Sequence, residues 1–195
     1  MRKFWLGIIV GIIVVLFAGF CYVRFGFIDP KADVPENALE KAIAMPALDA
    51  SVDRRAPETH NPIEPTDTNL IAGMKIYQSN CAGCHGDVQH SHAAFGDAFY
   101  PRAPQFVEDA PDMPENQNFY IIQHGIRLSG MPAWKGTLSE HETWQVTTFL
   151  SHMGKLSPQV SAEWKKTASS QGANSSPDAS TPVANDNKSM SMPTH

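Results

Sequence analysis

The chain has 195 residues, a hydrophobic content of 42% and a formal net charge of −5. That length leaves room for one ordinary domain with additional segments. The negative charge argues against a nucleic-acid partner, which would need a basic face, and three cysteines are too few for a disulfide scaffold.

The N-terminal segment has the pattern of a membrane anchor. Phe4 to Val23 are twenty residues without a charge, and at about 1.5 Å per residue they span roughly 30 Å, the hydrocarbon thickness of a bilayer. A cleaved signal peptide has a shorter apolar core and small residues at the cut. We therefore expect residues 1–23 to form an uncleaved signal-anchor helix. Lipidation of Cys21 is a weaker alternative, because the bulky Phe20 precedes it.

Charge predicts the orientation of this anchor. Arg2 and Lys3 precede the apolar run, whereas Arg24 and Lys31 follow it and are diluted by nearby acidic residues. The positive-inside tendency places the N-terminus in the cytoplasm and the remainder of the chain on the far side of the membrane. The prediction is a single-pass protein of the cytoplasmic (inner) membrane with a periplasmic domain.

Residues 24–65 are predicted to be a proline-rich tether. Six prolines fall in this segment, and such segments act as stiff spacers rather than flexible coils. A short helix over Glu36–Ala44 is compatible with the pattern. The tether either holds the following domain away from the membrane or docks along its surface.

The main domain is expected to open with a helix from about Thr66 to Ser79. Apolar residues recur along it at i, i+4 and i+7 and form one face: Leu70, Met74 and Tyr77. Gly73 is costly on a helix unless the backbone of a partner comes close. The segment Asp87–Pro104 that follows lacks helical periodicity and is predicted to be a loop.

Cys81-Ala82-Gly83-Cys84-His85 is the strongest motif of the chain. Thiols at i and i+3 reach the two vinyl groups of one haem, and the adjacent histidine can ligate the iron, so the pattern indicates covalent c-type haem attachment. A structural zinc site would need a second ligand pair, and a thioredoxin-like redox pair would need a βαβ context. Neither is found in the sequence around the motif.

A second axial ligand is expected downstream at Met131. It lies in Ser-Gly-Met-Pro-Ala-Trp, where Pro132 biases Met131 toward an extended backbone. A thioether ligand favours ferrous iron and raises the reduction potential. His90 and His92 are the rival ligands, although reaching the opposite face of the ring from there requires a sharp fold-back.

A second helix is predicted from Pro114 to His124, with Gly125 as its C-cap. Four acidic residues lie ahead of it or in its first turn: Glu108, Asp109, Asp112 and Glu115. Acidic groups near a helix N-terminus complement the helix dipole. A docking patch for a basic partner is the alternative interpretation.

The last helix of the domain begins with a capping box, because Ser139 is followed by Glu142 three residues later. Gly154 is expected to end this helix, and Pro158 to prevent it from resuming. Residues 158–195 are poor in apolar side chains and are predicted to be a disordered tail. Its thioethers and imidazole offer a copper(I) site as an alternative: Met190, Met192 and His195.

Residues 66–157 resemble a class I c-type cytochrome. The resemblance rests on Cys81 and Cys84 as thioether anchors, His85 as the proximal ligand and Met131 as the distal ligand. It implies an all-α fold of about three main helices around one covalent haem c, in which the first and last helices cross at a glycine.

The resemblance also implies that a proline carbonyl orients the proximal histidine. The sequence does not choose between Pro101 and Pro104 for this role. Arg102 between them is either a partner for a haem propionate or an exposed side chain.

The predicted function is that of a membrane-anchored cytochrome that carries one electron at a time to and from redox proteins in a respiratory chain, and not that of an enzyme. One alternative is a cytochrome subunit of a membrane dehydrogenase or terminal oxidase. A second is a haem enzyme or gas sensor whose distal Met131 is labile.

Overall fold

The structure, a computed structural model, describes residues 1–27 and 29–174, and this part of the chain is helical without a β-strand. Its α-helices, in chain order, are α1 (Arg2–Arg24), α2 (Ala38–Arg55), α3 (Asp67–Asn80), α4 (Ala82–His85), α5 (Glu115–His124), α6 (Glu140–His152) and α7 (Pro158–Asn174). Short 3₁₀ helices lie at Ala94–Ala98 and Met153–Lys155. The predicted all-α class is confirmed.

The domain is built on the crossing of α3 and α6. A Cβ atom added to Gly73 would lie 2.1 Å from the carbonyl oxygen of Gln145 and 2.9 Å from Cβ of Phe149, so the two backbones meet where the sequence places glycine. The buried residues around this crossing form the central core: Met74, Tyr77, Ile122, Val146, Phe149, Leu150, Met153 and Trp164.

The predicted helix ends are found at the residues that carry the capping signals. The Thr66 hydroxyl accepts a hydrogen bond from Asn69 N (3.3 Å) at the start of α3. Ser139 and Glu142 form the reciprocal capping box of α6. Gly125 ends α5 with a φ of 63°, a conformation that glycine adopts without steric cost.

Helix α1 has the properties of a membrane span. Among the described residues it is the one helix long and apolar enough to cross a bilayer, with a mean hydropathy of 2.8 over its best window. None of its residues is buried against the rest of the protein. An unburied apolar helix of 23 residues matches the thickness of a bilayer.

The tether contains a longer helix than the sequence predicted. The expected helix over Glu36–Ala44 was to be short, yet α2 runs for 18 residues and contains Pro46. The Asn37 side chain caps its start by accepting from Leu39 N (2.9 Å). Packing explains the extension, because Val52 in its last turns is buried (3% exposed) and tertiary contact outweighs local propensity.

The C-terminal end of α2 and the chain after it are attached to α5. Gln117 Nε2 donates to Asp53 Oδ1 (3.2 Å), and Asn116 Nδ2 donates to the carbonyl of Pro57 (2.9 Å). The second half of the predicted tether therefore belongs to the folded unit.

The N-terminal end of α2 contacts the loop after the cysteine motif. The Tyr100 hydroxyl accepts from Asn37 N (3.1 Å) and donates to the carboxylate of Glu40. These two bonds connect residues about 60 positions apart in the sequence.

The prediction of a disordered tail from residue 158 is wrong for residues 158–174, which form α7. Pro158 begins this helix instead of preventing one, because proline suits the first helical position and the Ser157 hydroxyl accepts from Val160 N (3.2 Å). Val160, Trp164 and Ala168 recur at i, i+4 and i+8 and are buried. The remainder of the tail, with Met190, Met192 and His195, lies outside the described residues.

Candidate haem-attachment site

The two cysteines lie on one tight turn. Cys81 ends α3, and both Cys84 N and His85 N donate to its carbonyl oxygen (3.0 Å each). Cys81 packs against the central core, and burial, followed by the nearby Cys84, raises the pKa of its thiol to about 12. Burial also raises the pKa of Cys84. A raised thiol pKa is the opposite of what activates a thioredoxin-like pair.

His85 is buried and its ring is held in one orientation. Its Nδ1 donates to the carbonyl oxygen of Pro104 (2.8 Å), which leaves Nε2 as the ring nitrogen available to a metal. Burial lowers the pKa of His85, partly offset by the bond to Pro104, and a lowered pKa favours the neutral ring that ligation requires. Phe106 stacks on it at a centroid distance of 4.3 Å and an interplanar angle of 1°.

Tyr77 has a role that the sequence did not reveal. It is a fully buried core residue (0% exposed), as expected, but its hydroxyl also lies 2.7 Å from the carbonyl of Gly86 and 3.2 Å from that of His85. Burial is the main cause that raises its pKa. The sequence could have indicated only that a buried tyrosine hydroxyl usually has a hydrogen-bond partner. It could not have indicated which carbonyl groups serve as that partner.

Gln105 is a second residue that the sequence did not single out. Its Nε2 donates to the carbonyl of Cys84 (3.1 Å) and to that of Ala103 (2.8 Å), while its Oε1 accepts from Ala93 N (2.7 Å). One side chain thus connects the cysteine turn, the following loop and the segment that contains Pro104.

Met131 is fixed through its backbone. Ile126 N donates to its carbonyl oxygen (3.1 Å), and its own N–H donates to the Ser129 hydroxyl (3.1 Å). A Cβ on Gly125 would lie 2.6 Å from the same carbonyl oxygen, so the end of α5 packs directly on this segment. The Met131 side chain packs against the central core.

The rival ligands lie at the protein surface. The side chains of His90 and His92 are 73% and 50% exposed and face the carboxylates of Asp87 (3.7 Å) and Asp97 (2.8 Å). Arg102 is half exposed and lies 4.0 Å from Asp97. In the described residues no group of three or more His, Cys, Asp or Glu side chains is arranged to hold a metal ion, so a structural zinc site has no support there.

The donor set fits covalent haem. Cys81 and Met131 contact the same core, and the chain supplies two thiols, one imidazole with its Nδ1 bonded to Pro104 and one thioether. These are the groups that c-type haem attachment and axial ligation require.

Comparison with known proteins adds an independent observation. Residues 68–150 match the family model described as "Cytochrome C oxidase, cbb3-type, subunit III". The chain carries a class I c-type cytochrome domain. Its cofactor is covalently attached haem c.

The cytochrome domain is also similar to a curated protein, the Cbb3-type cytochrome c oxidase subunit FixPc of Rhizobium leguminosarum bv. viciae. The two are 30% identical over 96 residues, which is 46% of this chain. The match spans only 30% of the length of that relative.

A solved chain from the Kuenenia stuttgartiensis reducing HAO-like protein complex Kustc0457/Kustc0458 is 22% identical. It covers 59% of this chain and 60% of its own length at a TM-score of 0.36. A similarity of that size carries no argument about function.

Proposed function

We propose that the protein is a membrane-anchored electron carrier whose haem is ligated by His85 and Met131. The observation that supports this most directly is the bond from His85 Nδ1 to the Pro104 carbonyl (2.8 Å), which leaves Nε2 as the ring nitrogen available to iron. The bound haem would supply a one-electron ferric/ferrous couple.

In this proposal each protein group has a separate task. Cys81 and Cys84 anchor the cofactor, and Pro104 fixes the tautomer and orientation of His85. Met131 is a soft donor that favours the ferrous state, and the apolar core behind it excludes water and disfavours added charge. With two protein ligands in place the chain leaves no position for substrate, so we propose a carrier rather than an enzyme.

We propose that α1 anchors this carrier with its N-terminus in the cytoplasm and the cytochrome domain in the periplasm. The supports are the apolar length of α1 and the basic residues Arg2 and Lys3 before it. We also place the end of the folded unit beyond residue 157, because α7 packs into the core.

The absorption spectrum of the ferric protein tests the ligation. We expect the weak long-wavelength sulfur-to-iron band, its loss in Met131→Ala, and its retention in Met113→Ala, a methionine outside the core. Rapid binding of carbon monoxide by the reduced wild-type protein would contradict the proposal and favour an open-site enzyme or sensor. A low-spin spectrum without the band would favour His90 or His92.

A subunit of a respiratory complex is the second candidate, and the family match favours it. Purification in a mild detergent distinguishes the two functions. A stable stoichiometric complex with other membrane proteins would identify a subunit, whereas a single species that exchanges electrons with added partners would identify a carrier.

A further inference from the structure

His92 lies between two carboxylates on the loop that follows the cysteine turn. Its Nε2 donates to Asp97 Oδ2 (2.8 Å), and its Nδ1 is 3.8 Å from Glu108 Oε2. Glu108 also accepts from the Ser91 hydroxyl (3.3 Å), and Arg102 Nη1 is 4.0 Å from Asp97 Oδ1. These side chains come from the loop after the cysteine turn and from the segment directly after that loop.

The arrangement favours a protonated imidazole. In the neutral ring with hydrogen on Nε2, the Nδ1 lone pair faces Glu108, a contact that is unfavourable. A second proton turns both contacts into attractive ones, and the pKa of His92 is accordingly raised, first by the bond to Asp97. Protonation changes the group formed with Arg102 from net negative to neutral.

This group is attached to the haem-binding turn. Asp97 follows Gly96, where an added Cβ would lie 2.2 Å from the carbonyl oxygen of Cys84. Gln105 bridges that same carbonyl to Ala93 N, next to His92. The charge of His92 is therefore carried by a segment packed on a haem anchor.

We propose that His92 is a proton-binding site coupled to the oxidation state of the haem. When a redox protein partner donates one electron and the bound haem goes from ferric to ferrous, a proton from solvent would bind Nδ1 of His92, because the site would have lost one positive charge. The coupling is reciprocal, so protonation of His92 raises the reduction potential. This inference rests on the proposed electron-carrier function.

The proton affinity of His92 depends on the charged groups around its ring. Asp97 and Glu108 face the ring, and Arg102 acts on it through Asp97. The same loop also contains a second histidine beside a carboxylate, because His90 Nδ1 lies 3.7 Å from Asp87 Oδ1. His90 therefore provides a matched control in the same loop, with one carboxylate contact and not two.

The test is the reduction potential of the full-length holoprotein in detergent, measured from about pH 5 to about pH 9. We expect the potential to fall through this range by about 30 to 59 mV, which corresponds to a proton affinity about three to ten times higher in the ferrous state. His92→Gln should remain near the high-pH value throughout. His92→Arg, which keeps a positive charge, should remain near the low-pH value.

His90→Gln should keep the wild-type pH dependence. If the step persists unchanged in both His92 variants, or disappears in His90→Gln, the inference is wrong. The absorption spectrum of each variant separates this result from the axial ligation. A missing sulfur-to-iron band would contradict the proposed Met131 ligand. The difference in the pH dependence of the potential between wild type and the His92 variants tests the proposed role of His92.

Discussion

Gly125 joins the end of α5 closely to the segment that contains Met131. Its positive φ of 63° ends α5, and an added Cβ would lie 2.6 Å from the carbonyl oxygen of Met131 and 2.6 Å from the carbonyl carbon of Pro132. The same residue thus shapes the backbone and leaves space for the segment that contains Met131, the proposed distal ligand.

We expect Gly125→Ala to displace Met131 and weaken the proposed bond from its sulfur to iron. The band from sulfur to iron should lose intensity, and the reduced protein should bind carbon monoxide faster than wild type. Gly136→Ala is the matched control, since Gly136 also has a positive φ (99°) but no atom within 4 Å of an added Cβ. Equal spectra for the two variants would contradict the expectation.

A second prediction concerns Gly73 at the helix crossing. Gly73→Ala places a methyl group against the backbone of Gln145, and the two packed helices can move apart only at an energetic cost. The substitution should therefore lower the free energy of unfolding by about 1–3 kcal/mol. Gly83→Ala, on the exposed side of the cysteine turn with nothing within 4 Å, should change it far less. Urea unfolding of the holoprotein measures both.

At the scale of single residues, the sequence predicts those features that depend on the spacing of nearby residues. The cysteine turn and the glycine at the crossing follow from motif and helix pattern alone. The choice of Pro104 over Pro101, the hydroxyl bonds of Tyr77 and the bridge made by Gln105 depend on contacts between segments far apart in the chain. Sequence spacing does not encode such contacts.

Among the helices, α7 departs most from what composition indicates. Its apolar side chains are few and separated by Ser, Lys and Glu, so the segment resembles a solvated tail. Val160, Trp164 and Ala168 nevertheless form a stripe along one face, and the Trp164 ring lies 5.3 Å from that of Phe149 in the core. Trp164 is the residue of this face that joins the central core.

We therefore expect Trp164→Ala to destabilise the cytochrome domain by about 3–5 kcal/mol, the usual cost of removing a buried aromatic side chain. Lys166→Ala, on the same helix with a side chain 81% exposed, is the control and should change stability by less than about 0.5 kcal/mol. Thermal or urea unfolding followed by haem absorption gives both values. Equal stabilities would show that α7 does not support the core.

Helix α2 shows a similar error, because the proline content of the predicted tether hid a long helix. Pro46 disfavours the helix interior, but the Asn37 cap and the burial of Val52 stabilise its two ends. In the sequence, the six prolines between residues 24 and 65 indicate a tether more strongly than these two contacts indicate a helix.

At the scale of the whole molecule, the structure separates an unburied apolar helix from a packed helical unit. We expect deletion of residues 1–27 to release the protein from the membrane fraction while leaving its haem spectrum unchanged, because no residue of α1 packs against the cytochrome domain. Replacement of Phe4–Val23 by twenty leucines should keep the protein in the membrane. Fractionation followed by haem detection distinguishes these outcomes.

The contact between Tyr100 and the start of α2 determines how far the domain can travel from its anchor. A wholly flexible tether over residues 24–65 could extend about 150 Å, at about 3.5 Å per residue, whereas with α2 docked only residues 25–36 remain, with a reach of about 40 Å. The flexible part of the tether is then about 3.5 times shorter, and because effective concentration falls roughly as the −3/2 power of linker length, the effective concentration of the haem near a membrane-bound partner rises about sixfold to sevenfold. A tether this short restricts electron exchange to proteins whose docking surfaces lie close to the bilayer.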